Sequence, residues 1–252
     1  MDADIQACET FKPMNIRIVA EASDLSVKQS EGWGLSFLID EDILFDTFSD
    51  GLILKKNIKK QEIDIMKLKY VVISHDHWDH TGGLWHILSK NPKVKVFICP
   101  CFTEKTKEKM RKYTVMGTKI IELQSFTEIK KDVFTTGEIM GNYSNKPLPE
   151  QSLAVKTQKG LVIITGCAHP GIINIIDKIK KQFNENIYLV MGGFHLMDSN
   201  REQILEVVSK MKSYGINKVA PMHCTGAEAV KMFKEEFRDG FISVKTGSII
   251  DC

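Results

Sequence analysis

The sequence predicts an α/β protein in which two sheets are sandwiched between outer helices. Three observations carry this. Short apolar runs alternate with amphipathic stretches of ten or more residues from about Ile16 to the end, each amphipathic stretch has one apolar face, and no Pro/Gly/Ser-rich linker divides the 252 residues. One domain spanning 1–252 is expected, and there is no internal repeat or low-complexity tract.

In chain order, the strand-like runs Ile16–Ala20, Leu35–Asp40 and Ile43–Asp46 come first, and Asp40-Glu41-Asp42 between the last two reads as a hairpin turn. Tyr70–Ser74 and Val94–Cys99 follow with the helical pattern Gly83–Lys90 between them, then helix Thr103–Tyr113 and strand Lys119–Leu123. The second half offers strands Ser152–Thr157, Leu161–Thr165, Ile187–Met191 and Lys218–Met222, interleaved with helices Gly171–Phe183, Arg201–Tyr214 and Gly226–Phe237. In Gly171–Phe183, Ile172, Ile175, Ile176 and Ile179 fall on one face with Lys178, Lys180 and Lys181 opposite, the pattern of a helix packed on a sheet. Glu138–Glu150, with Gly141, Asn142, Pro147 and Pro149, reads as a long loop, and loops of that length are often functional.

Composition excludes more than it identifies. Lys+Arg 34 against Asp+Glu 32 leaves a formal net charge of +2, which argues against a nucleic-acid binder with its concentrated basic face. No run approaches the roughly 18 apolar residues of a membrane helix. The start, Met1-Asp2-Ala3-Asp4, is acidic where a secretory signal would be basic, so a cytoplasmic protein is expected. Its six cysteines have no framework spacing and are expected to be free thiols. Cys99-Pro100-Cys101 has no second pair, so packing is its expected role.

The histidines carry the chemistry. Directly after the strand Tyr70–Ser74 stand His75, His77, Asp79 and His80, in H-x-H-x-D-H spacing, followed by Thr81-Gly82-Gly83. Two imidazoles on one side of a turn, with a carboxylate and an imidazole on the other, suit two adjacent metal ions. Zinc, iron and manganese all accept such donors. His169, His195 and His223 each follow another strand-like run, and open sheets gather ligands at strand ends. His86 falls inside a helix, where packing or a supporting hydrogen bond is expected. Asp46 ends the run Ile43–Asp46 and is expected to accept a hydrogen bond from a metal-bound imidazole.

This constellation resembles the metallo-β-lactamase superfamily, on Phe45-Asp46-Thr47, on His75-Asp76-His77-Trp78-Asp79-His80-Thr81-Gly82-Gly83-Leu84, and on the later His169 and His223. Gly34-Leu35-Ser36-Phe37-Leu38-Ile39, Gly166-Cys167-Ala168-His169-Pro170-Gly171, Gly193-Phe194-His195-Leu196 and Pro221-Met222-His223-Cys224-Thr225-Gly226 look like one subgroup. That subgroup contains the archaeal dihydropterin-ribofuranosylaminobenzene-phosphate synthase and many bacterial metal-dependent hydrolases. The resemblance implies an αββα sandwich with a metal site at one edge. It implies that His75, His77 and His169 hold one ion and Asp79, His80 and His223 the other, with His195 as a further ligand or general acid/base. Hydrolases of the superfamily commonly bridge the ions with an aspartate in Gly-Asp. Here the comparable strand ends carry Gly166-Cys167 and Gly193-Phe194-His195, so Cys167 is a softer candidate replacement, with packing as its expected role.

One or two divalent ions per chain are therefore expected, zinc first and iron, manganese or magnesium as alternatives. A bound metal lowers the pKa of water toward 7 and neutralises charge developing on an ester or phosphate oxygen. Asp79 and His195 are the expected catalytic residues, Asp79 to orient the water or accept its proton. Thr81-Gly82-Gly83, His169-Pro170-Gly171 and Cys224-Thr225-Gly226 open predicted helices beside metal-ligand candidates, and helix starts attract anions. The leading expectation is hydrolysis of a small phosphate- or carboxylate-bearing substrate. The alternative is pterin transfer with diphosphate as leaving group, for which Trp33, Trp78 and Phe194 are candidate stacking partners. A non-hydrolytic di-iron redox protein is a third reading. RNA processing, known in this superfamily, fits poorly with the balanced charge.

Overall fold

The computed structural model describes residues 14–23 and 32–252; Cys8 and the acidic start Met1–Asp4 lie outside them. Strands β1 (Asn15–Ala22), β2 (Gly34–Ile39) and β3 (Ile43–Phe45) run antiparallel, each to the next. Helix α1 (Gly51–Lys60) then crosses to β4 (Tyr70–Val72), which is parallel to β3. Helices α2 (Trp78–Thr81) and α3 (Leu84–Lys90) lead to β5 (Lys95–Ile98), and α4 (Glu104–Arg111) leads to β6 (Lys119–Glu122), both strands again parallel to their predecessors. Parallel neighbours need such crossovers because a tight turn cannot join them.

The second sheet opens with β7 (Thr127–Lys130) and β8 (Val133–Thr135), after which β9 (Asn142–Tyr143) and β10 (Lys146–Pro147) form a separate hairpin. Strands β11 (Leu153–Thr157) and β12 (Gly160–Thr165) pair antiparallel. From β12 the chain passes through α5 (Ile172–Lys180) to β13 (Ile187–Gly193), then through α6 (Arg201–Ser213) to β14 (Lys218–Met222), with all three strands parallel. After α7 (Ala227–Phe237) it returns to the first sheet as β15 (Ile249–Asp251). The sheet orders are β15-β1-β2-β3-β4-β5-β6 and β14-β13-β12-β11-β8-β7.

Burial follows the alternation of each strand. Ile16, Ile18, Phe37 and Phe45 from the first sheet meet Val155, Val162, Ile164 and Leu189 from the second in a shared inner core. The opposite faces pack against helices: Leu54, Ile58, Leu84 and Leu88 cover the first sheet, and the Ile172, Ile175, Ile176, Ile179 face covers the second with Ile204, Val208 and Phe233. The architecture is the αββα sandwich that the sequence resemblance implies. Among the described residues no helix is long and apolar enough to cross a membrane.

The five sequence-predicted helices form within a few residues of the expected ends, the usual scatter of helix boundaries. Helix α1 was not expected: only Leu54 and Ile58 of its ten residues are buried, too few for a clear 3.6-residue stripe, although Asp50 caps it through the amides of Leu52 and Ile53. Strands β7, β8 and β15 are short and their apolar runs correspondingly weak. The expected loop Glu138–Glu150 is corrected to a hairpin closed by an Ile139–Glu150 bridge. Ser144 and Asn145 turn it with φ 50° and 60°, the geometry of a two-residue hairpin loop.

Candidate metal centre

The C-terminal ends of β3, β4, β12, β13 and β14 come together at one edge of the sandwich. Asp46, Ala168, His195 and His223 all have positive φ there, between 51° and 62°, a conformation costly for residues with a side chain and characteristic of functional sites. After β4 the chain turns so that His77 precedes α2 and His80 lies within it. Thr47 holds this turn through its hydroxyl and amide, both donating to the His80 carbonyl at 2.7 and 2.9 Å. Gly34 lets β2 pass beneath it: at φ 118°, a Cβ there would lie 2.1 Å from the Asp79 carbonyl oxygen.

Buried Asp46 accepts from the Ser74 amide at 2.7 Å and the Ser74 hydroxyl at 2.8 Å, and lies 2.7 Å from His80 Nδ1. This is the supporting contact expected for it, and it leaves His80 Nε2 facing the site. His223 is oriented the same way, its Nδ1 3.3 Å from the Ala22 carbonyl and its Nε2 3.3 Å from Asp79 Oδ2. His75 Nε2 meets His77 Nδ1 at 3.1 Å, and the His77 and His169 rings stand 5.0 Å apart.

On the other sheet, the loop after β12 is clamped by buried Glu150. Its carboxylate accepts from the amides of Cys167 at 2.8 Å, Ala168 at 2.9 Å and His169 at 2.8 Å. Gly166 lets this loop start close against Ser74 and Asp46, since a Cβ would lie 2.2 Å from the Ser74 hydroxyl oxygen. The His195 ring lies tilted beside that of His169, with centroids 4.4 Å apart.

Three donor groups result, with ligand atoms within 4.8 Å of one another in each: Asp79, His80, Cys167 and His223; His75, Cys167 and His169; and Cys167, His195 and Cys224. His77, expected as a ligand beside His75 and His169, is in none of these groups, although its Nδ1 lies 3.1 Å from His75 Nε2. His86 belongs to none of them. Burial, reinforced by neighbouring rings, holds His75 far below the ordinary imidazole value and His169 down to about 2, so both are neutral. Burial also opposes charge on His80, but Asp46 and Asp79 outweigh it and raise the ring to about 9. Burial likewise works against ionised Asp79, yet His80 and His223 hold its carboxyl well below the usual range.

These residues fit a divalent ion. Both nitrogens of His169 and Nδ1 of His195 are buried without a hydrogen-bond partner, which costs about 1–3 kcal/mol for each unsatisfied atom. A cation at these nitrogens would remove that cost.

Known proteins agree with the geometry. Residues 34–98 match the family model described as metallo-beta-lactamase superfamily. The chain is 32% identical to 7,8-dihydropterin-6-methyl-4-(beta-D-ribofuranosyl)-aminobenzene-5'-phosphate synthase of Methanocaldococcus jannaschii, over 94% of this chain and 96% of that one. The chain belongs to the metallo-β-lactamase superfamily. Among solved structures, Tm1679, described as a metal-dependent hydrolase of the beta-lactamase superfamily, matches with TM-score 0.75 and 30% identity over 95% of this chain and 99% of that one. YhfI of Bacillus subtilis, at TM-score 0.67 and 15% identity over 95% and 100% of the chains, shares the fold. The chain is therefore an enzyme of this superfamily, whose fold implies divalent metal binding.

Around the superfamily's metal edge, the structure adds residues that the sequence did not single out. Glu150 had been placed in a loop, and a carboxylate that serves backbone amides leaves no spacing signature. Tyr143, 47% exposed at the tip of the β9–β10 hairpin, sets its ring 4.8 Å from that of His77 and 5.3 Å from that of His169. The length of the loop was the signal that could have found it. Of the three proposed stacking aromatics, Trp33 lies 4.6 Å from the His223 ring, whereas Phe194 is buried against Phe233 in the outer core. Trp78 is exposed. Cys99 is buried in the helix-covered core as expected, and Cys101 and Glu138 bring donor atoms within 4.8 Å of its sulfur. A groove of about 790 Å³ beside the site is lined by His169, His195, Asn174, Gln203 and Lys210 among others.

Proposed function

We propose that the enzyme hydrolyses a small substrate bearing a phosphate or carboxylate group, with divalent metal, zinc first, at the strand-end site. The observation that carries this is the pair of imidazoles, His169 and His195, whose buried ring nitrogens have no hydrogen-bond partner, at the same edge as an ionised Asp79. When bound, the metal acidifies water and neutralises charge on the substrate oxygen. His75, His77 and His169 would hold one ion, and Asp79, His80 and His223 the second. Asp46 and the Ala22 carbonyl keep the Nε2 atoms of His80 and His223 aimed inward. Asp79 orients the attacking water and accepts its proton, and His195 supplies a proton to the leaving group from the His169 side. Asn174, Gln203 and Lys210 in the adjoining groove offer hydrogen bonds and one positive charge to an anionic tail.

Residues 1–252 act here as one domain, a reading supported by the core shared between the sheets. A diffusible substrate in the cytoplasm, rather than nucleic acid, agrees with the balanced charge and with the free thiols of the five described cysteines. The test is turnover of a phosphodiester and thioester panel by metal-loaded protein. His77→Ala should abolish turnover and lower the bound metal measured by elemental analysis; a metal-loaded wild type inert to the whole panel overturns the proposal.

The 32% identity to the synthase favours a second reading, pterin transfer with diphosphate release. That reading requires diphosphate to appear from a pterin diphosphate only when the aromatic acceptor is present. Absence of binding to either compound removes it.

A further inference from the structure

We infer that the Cys167 sulfur is a metal ligand, a thiolate shared between the two histidine groups in the place where hydrolases of the superfamily commonly carry a bridging aspartate. This rests on the metal-enzyme reading of the site. Sγ stands 3.2 Å from His80 Nε2, and it belongs both to the group of Asp79, His80 and His223 and to that of His75 and His169. A bridge must reach both groups.

The buried carboxylates nearby do not compete for that position. Asp46 uses its oxygens on Ser74 and His80, and Glu150 uses its oxygens on the amides of residues 167–169. Asp79 joins only the His80 and His223 group. The Glu150 clamp also fixes the backbone that aims Sγ, so little conformational freedom is lost when a metal arrives. Cys224, the other thiol at this edge, lies 3.5 Å from the Cys167 carbonyl and reaches only the group containing His195.

Binding breaks the S–H bond of Cys167; its proton leaves to solvent, and the sulfur lone pairs form the bonds to metal. A thiolate in this position softens the site toward zinc, cobalt or iron and away from magnesium.

Cobalt(II) reports the bond directly, because a cobalt thiolate has an intense near-ultraviolet charge-transfer band. The band is expected in the cobalt-loaded wild type and in Cys224→Ser. It should vanish in Cys167→Ser and in Cys167→Asp, while Cys167→Asp, which restores a carboxylate, keeps the metal content. Circular dichroism checks that each variant is folded. Bound cobalt without the band in the wild type, or a band that survives Cys167→Ser, overturns the inference while leaving the metal site standing. Failure of the wild type to bind cobalt or zinc at all overturns both this inference and the metal-enzyme reading.

Discussion

The His75–His80 turn packs four donors into six residues, whereas the second sheet supplies Cys167, His169, His195 and His223 from the ends of three strands far apart in the chain. The two regions are held by different means. In the turn, Asp46 contacts one donor directly, at His80 Nδ1, and so sets which ring nitrogen faces the site. In the loop after β12, Glu150 grips the backbone instead and leaves the side chains of Cys167 and His169 unconstrained by hydrogen bonds from carboxylates. A short motif needs its rings oriented, whereas a loop assembled from distant chain needs its backbone fixed before any ring can be placed.

The largest expected effect therefore comes from Glu150→Ala. Three buried amides lose their acceptor, at about 1–3 kcal/mol each. The variant should unfold at clearly lower denaturant and bind metal poorly, with the His75–His80 turn still formed. A denaturation midpoint unchanged from wild type would show that the clamp does not hold the loop.

A smaller effect is expected from Asp46→Asn, which removes a charge without emptying the site. Metal affinity should fall about 10–100-fold, the usual cost of losing a partner that orients a ligand imidazole. The metal-free protein offers a second readout. His80 is raised to about 9 and His195 is also raised, so their protonated forms are favoured by folding. That stability is fully present below about 6.5, and the His80 part is lost as pH rises through about 9, at up to about 1.4 kcal/mol per pH unit in the window. Denaturant midpoints of metal-free wild type should fall across this range, and Asp46→Asn should flatten the slope. A flat wild-type profile would remove the Asp46–His80 coupling from the account.

The smallest effect belongs to Tyr143→Ala, which leaves both anchoring systems intact. The exposed ring can contribute about 1 kcal/mol of aromatic contact to a bound substrate, or about fivefold in KM, with kcat and stability unchanged. A change in kcat alone would place Tyr143 in the chemistry rather than in binding.

Local pattern made much of this legible. The isoleucine stripe of α5 had to be buried, and the dense donor spacing of residues 75–80 had few bland explanations. His169, His195 and His223 were recognisable as strand-end residues, but each alone was ambiguous, and for Cys167 packing was the expected role. Glu150 and Tyr143 were not legible, because their partners lie on other elements and no periodicity marks a carboxylate that serves backbone amides.

The sequence by itself determined the layered α/β class, the strand ends and most of the candidate metal donors, since hydrophobic periodicity and ligand spacing are local properties of the chain. Only the tertiary structure decided which donors share a group, that Cys167 stands between two of them, and that Asp46 and Glu150 support different halves of the site. Those facts depend on distances of a few ångströms between residues up to about two hundred positions apart, such as Ala22 and His223, and only the packed sheets fix such distances.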